Sequence, residues 1–133
     1  MNDEQARQCT TVDELTLGGI IKHIGRGYRV WAQLILCRDG ALPDGMLDLG
    51  QYPMADDETL AGLLDAFDVA ARTLEQAVRA LPDVDIMVPL PQMLCSPRRI
   101  VLHLMRETAQ HAGHADIIRE SLDGASTTAQ LAT

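Results

Sequence analysis

Three stretches in which apolar residues recur at three-and-four spacing, separated by breaks rich in proline and glycine, leave this chain little alternative to packing helices side by side. In the first, Leu15 to Arg38, the pattern runs through Leu17, Ile20, Ile21, Ile24, Tyr28, Trp31, Leu34 and Ile35, with Thr11 or Asp13 as the expected cap and Asp39-Gly40 as the stop. Residues 41–54, with Pro43, Gly45, Gly50 and Pro53, read as a long loop. The second stretch is expected to open at Asp56-Asp57-Glu58, whose acids suit a helix N-terminus, and to continue through Leu60, Leu63, Leu64, Phe67, Ala70, Ala71, Leu74 and Val78 as far as Pro82. Pro82, Pro89 and Pro91 then predict an extended crossing, within which Val84–Val88 has the composition of a short strand. Ser96-Pro97 opens the third stretch, serine as cap and proline at the first helical position, and Asp123-Gly124 closes it.

With no repeat period and no alternating strands, the expected class is all-α, as one domain over residues 15–124. A short N-terminal segment, 1–14, precedes it and a flexible tail, 125–133, follows. Helices of about 24 residues span roughly 36 Å, a bundle length. Gly18, Gly19, Gly25 and Gly27 in the first stretch each cost about 1 kcal/mol against alanine. For Gly18 and Gly19 close helix packing is the expected return. Gly25 and Gly27 are open between packing and room for a ligand beside His23.

A formal net charge of -8 disfavours nucleic acid and anionic membrane as partners, because phosphate would be repelled. Neither a signal segment nor a membrane span is indicated. Cys9, Cys37 and Cys95 form no Cys-x-x-Cys pair, so they read as small buried hydrophobes in a reducing cytoplasm rather than as a disulfide framework.

The chemistry lies in the third stretch. Ile100, Leu104, Thr108, His111, Ala115, Ile118 and Leu122 share one face, and Glu107 stands beside His111 on it. A carboxylate and an imidazole one helical turn apart, about 6 Å, can reach a common cation bound at about 2 Å, and a cation would offset the cost of turning them inward. His23, on the inward stripe of the first stretch, is the candidate third ligand. Two imidazoles and a carboxylate with open positions describe a catalytic site for zinc, nickel or ferrous iron. The same residues also admit a plainer reading, in which Glu-x-x-x-His is a solvated face and His23 a hydrogen-bonded core residue. His103 and His114, at the edge of the face, suit supporting hydrogen bonds or solvent; Arg98 and Arg99 suit the surface, or an anionic substrate group. Tyr28 and Trp31 are expected in the core or a pocket wall.

Two blocks, Leu15-Thr-Leu-Gly-Gly-Ile-Ile-Lys-His23 followed by Trp31, and Arg99-Ile-Val-Leu-His-Leu-Met-Arg-Glu-Thr-Ala-Gln-His-Ala-Gly-His-Ala-Asp-Ile-Ile-Arg-Glu-Ser-Leu-Asp-Gly124, resemble the DinB-like superfamily. More narrowly they resemble its actinobacterial branch that includes mycothiol S-transferases, over about residues 3 to 124. The resemblance implies an up-down-down-up helical bundle holding a divalent metal with His23, Glu107 and His111, the positions that match the superfamily's ligands. It implies a small-molecule thiol, mycothiol or similar, as co-substrate and a small electrophile as its acceptor. The alternatives are a non-catalytic, dimeric helical module, or a metal-dependent hydrolase or isomerase on the same bundle. The superfamily also carries a long helix before the Leu-Gly-Gly block, where this chain has only residues 1–14. Three long helices are therefore expected to leave an apolar groove, which an upstream segment or a second subunit would cover or which would leave the bundle incomplete; association into a homo-oligomer through that surface is the expectation.

Overall fold

The computed structural model describes residues 1–11, 15–42 and 53–132. In chain order it comprises α1 (Asp3–Arg7), α2 (Leu17–Cys37), α3 (Leu60–Arg79), β1 (Val88–Pro89), β2 (Leu94–Cys95), α4 (Pro97–Asp123) and α5 (Thr127–Leu131). Three long helices carry the bundle, with α2 central and packed against both α3 and α4. One core cluster joins Ala32 and Ile35 of α2, Leu74 and Ala77 of α3, and Ile100 and Leu104 of α4. A second joins Leu17 and Ile20 of α2 to Ile118 of α4. Between these two anchors the rotation of α4 about its axis is fixed, which decides where residues 107 to 111 point.

The helix ends follow local chemistry. α2 is capped by Thr16, whose hydroxyl accepts from Gly19 N–H at 3.0 Å, rather than by Thr11; Asp13, the other expected cap, lies outside the described residues. It stops at Arg38, which adopts the left-handed conformation. α3 starts later than its acids suggest. Thr59 is the cap, and the Glu58 carboxylate turns back to accept from Ala55 N–H at 3.0 Å and to pair with Lys22 at 2.9 Å. Asp3 supplies an acceptor for Leu60 N–H at 2.7 Å, so the first free N–H of α3 is satisfied by an acid from α1 while Glu58 serves the preceding turn. Ser96 and Gly124 bound α4 as the sequence implies. Of the residues 41–54 expected to form a loop, 43–52 lie outside the described residues.

Two expectations need correction. The strand falls at Val88–Pro89, pairing antiparallel with Leu94–Cys95, and not across Val84–Val88. Val84 instead accepts a hydrogen bond from Arg98 N–H, and Asp85 pairs with the Arg98 guanidinium, so both are committed to the start of α4. Of the cysteines only Cys95 is buried; Cys9 and Cys37 are exposed, because they fall at helix ends that the core does not reach. The N-terminal segment forms α1, whose Asn2 and Gln5 make a reciprocal capping box. Ala6 is fully buried, and the Arg7 guanidinium donates to the carbonyls of Ala55, Asp56 and Glu58. In the tail, α5 is tethered by the Thr127 hydroxyl to Asp116 at 2.6 Å and buries none of its residues.

Apolar side chains on the outer faces, Leu102, Met105 and Ile117 of α4 and Leu64 and Val69 of α3, are exposed. Among the described residues no helix is long and apolar enough to cross a membrane.

Candidate metal centre

His23 projects from α2, Glu107 and His111 from α4. Their ligand-capable atoms all lie within 4.8 Å of one another. The His23 and His111 rings meet edge to face, centroids 4.9 Å apart and planes at 74°. His111 Nε2 stands 3.7 Å from Glu107 Oε2. Donors bound to one cation at about 2.0–2.2 Å sit roughly 3.3–3.6 Å apart, so the Glu107–His111 spacing is already near that of a shared shell. Small side-chain rotations would bring in His23.

The sequence placed these groups on the core-facing stripe, and the structure refines that. No charged or polar side chain is fully buried among the described residues. The stripe is sealed where Ile100, Leu104 and Ile118 sit, and opens between them. There Glu107 and His111 keep 35% and 17% of their side-chain exposure. They line a cavity of about 230 Å³ walled by Ile24, Gly27, Tyr28, Trp31 and Leu104. Partial exposure lowers the cost of placing a carboxylate here and leaves a path for reactants.

His111 is under-satisfied. Its Nδ1 is buried without a hydrogen-bond partner among the described residues, and its Nε2 has only Glu107, beyond hydrogen-bond reach. A cation shared with Glu107 would take the Nε2 lone pair and leave the ring proton on Nδ1, and the donor set of two nitrogens and one carboxylate oxygen fits a divalent ion. Burial holds the pKa of His23 below its ordinary value; the neighbouring His111 lowers it further and Glu107 opposes both. A depressed pKa keeps the ring neutral, which is the form that ligates.

The remaining sequence candidates divide. His114 lies with its ring 5.9 Å from that of His111, outside the three-donor group. His103 stacks edge-on against Trp31 at 5.8 Å and accepts from Arg106. Arg98 is held at the surface by Asp85, whereas Arg99 lines a neighbouring cavity. Tyr28 and Trp31 form pocket wall. Sequence reasoning passed over the hydrogen bond between the Tyr28 and Thr108 hydroxyls, 2.8 Å, which ties α2 to α4 beside the donors. The only available signal was Thr108 on the same face as His111.

Comparison with curated proteins and with solved structures finds no significant match. The sequence model of the mycothiol-S-transferase family, however, matches residues 1–124, which takes in every described helix but α5 and all three converging donors. The chain therefore belongs to the mycothiol-S-transferase family, one of the DinB-like families of helical bundles.

Proposed function

We propose that the protein is a metal-dependent S-transferase that joins a low-molecular-weight thiol of the mycothiol type to small electrophiles, with His23, Glu107 and His111 as the ligands of a divalent cation. The observation that carries this reading is the convergence of those three donors from two helices in a chain of this family. A bound cation would supply charge that favours thiolate over thiol.

The chain's own residues do the rest. Tyr28 and Thr108 fix the separation of α2 and α4 and thereby that of His23 from His111. Ile24, Trp31 and Leu104 give the cavity apolar walls, which displace water from the sulfur and raise its nucleophilicity. Glu107 offsets part of the positive charge of a loaded site. Its exposed edge also opens a path by which the thiol proton reaches solvent. No cysteine lines the cavity that holds the three donors, and Cys95, which borders the neighbouring one, has its Sγ turned to the Ser96 carbonyl, so the nucleophilic sulfur is assigned to the co-substrate. Catalysis then consists of positioning and electrostatics.

The test is conjugation of mycothiol to a generic electrophile by the zinc-loaded protein and by His111→Ala. Wild type should be faster by orders of magnitude. Equal rates would leave a non-catalytic helical module, and turnover without any thiol would indicate a hydrolase or isomerase.

A further inference from the structure

Beside the metal cavity lies a second one of about 380 Å³, and the two share Trp31 and His103 as a common wall. Its floor is apolar, with Leu90 and Met93 from the β1–β2 hairpin and Ile100 from α4. Its polar groups are cationic or basic: Arg99, Arg106 and His103. Among the described residues no carboxylate or carboxamide lines it. Among the described residues neither arginine forms an ion pair, in a chain whose formal net charge is -8. Arg98, one position away, is by contrast fully engaged with Asp85.

Arg106 is also held in place. Its Nη2 donates to His103 Nδ1 at 3.0 Å, so the neutral His103 ring carries its proton on Nε2, and the same ring packs on Trp31. Two guanidiniums free of carboxylates above an apolar floor do not suit a polyol, whose hydroxyls need acceptors as well as donors. They suit an anionic oxygen group on an apolar body. Arg106 adjoins Glu107 in sequence, and Arg99 stands about 12 Å along the axis from Glu107. A small molecule anchored at the arginines can therefore extend past Trp31 into the metal cavity.

We infer that this second cavity is the electrophile subsite, and that Arg99 and Arg106 select electrophiles bearing a carboxylate or phosphate on an apolar or aromatic body. The inference rests on the transferase reading for the word electrophile, but the selection for anions stands by itself. Trp31 is the only tryptophan, so its fluorescence reports occupancy of the shared wall directly. The experiment titrates metal-free, thiol-free protein with three unreactive probes: 4-phenylbutyrate, 3-phenylpropyl phosphate and 4-phenylbutan-1-ol. At least one anion should bind about fivefold or more tighter than the alcohol, the scale of an exposed charge pair. Whichever anion binds tighter identifies the group. Arg99→Gln/Arg106→Gln should erase the preference while still binding the alcohol, which shows that the variant is folded; Arg98→Gln should retain it. Equal binding of acid, phosphate and alcohol by wild type, or a preference surviving the double substitution, would overturn the inference. Because no thiol or metal is present, either result is independent of whether the protein conjugates mycothiol.

Discussion

The rings of His23 and His111, carried by different helices, meet edge to face at 4.9 Å, and Glu107 reaches the same point from one turn below His111. A cation that binds this folded arrangement and not the unfolded chain must raise stability by mass action. At a free concentration about 100 times its dissociation constant the gain is roughly 2.7 kcal/mol. Zinc added to metal-free protein should therefore raise the melting temperature by several degrees. His23→Ala and His111→Ala should each abolish the rise, with elemental analysis showing less than one zinc per chain. A full rise in both variants would place the metal elsewhere.

The Glu58 carboxylate is held below its usual pKa, first by its hydrogen bond from Lys22, then by that from Ala55 N–H; burial opposes this, and the charges of Lys22 and Arg7 add to the depression. A depressed carboxylate stabilises the fold above its unfolded value of 4.5, and that stability is lost as pH falls through the lower folded value. Glu58→Gln should cost about 1 kcal/mol at neutral pH, the scale of a partly exposed pair, and nothing at the acid end. Urea titrations at a series of pH values below 5 check this; curves that stay parallel would contradict it.

How much of this was legible in the sequence depended on how local each cause is. Ser96-Pro97 and Gly124 act within one turn, so both ends of α4 could be read directly. Glu107 and His111 share one helix and needed only its periodicity. His23 required the additional inference that α2 lies against α4, which its apolar stripe supports but does not determine. The start of α3 was misplaced because Glu58 spends its charge on Lys22, a partner 36 positions away in sequence, and no local rule reveals that. Helix α1 was unreadable for the same reason. Five residues do not hold a helix alone, and this one is fixed by Ala6 in the core and by Arg7 on the turn before α3.

Tyr28 and Thr108 bond hydroxyl to hydroxyl at 2.8 Å across the α2–α4 seam. Tyr28→Phe removes one partner, keeps the ring against Phe67, and leaves the Thr108 hydroxyl in a half-buried position. The expected cost is about 1 kcal/mol in chemical denaturation. Zinc affinity should fall with it, since the hydroxyl pair sets the spacing of the helices that carry His23 and His111. An unchanged affinity in a destabilised variant would restrict the pair to a structural role.

Gly18 and Gly27, nine positions apart on α2, should respond oppositely to alanine. A Cβ at Gly18 would come within 2.5 Å of Met54 Sδ, 3.1 Å of Met54 Cβ and 3.2 Å of the Ala6 carbonyl. The sulfur can swing away, but the Ala6 carbonyl is fixed by the packing of α1 on α2 and Met54 is itself buried, so overpacking of about 1–3 kcal/mol outweighs the helix-propensity gain of about 1 kcal/mol. At Gly27 a Cβ meets nothing within 4 Å, and the residue lines the cavity shared by His23, Glu107 and His111. Gly27→Ala should therefore stabilise the protein by up to about 1 kcal/mol. Gly27→Leu should keep the fold but fill the cavity, depressing thiol conjugation far more than it changes the melting temperature. Undiminished conjugation by a folded Gly27→Leu variant would show that the reaction takes place outside this cavity.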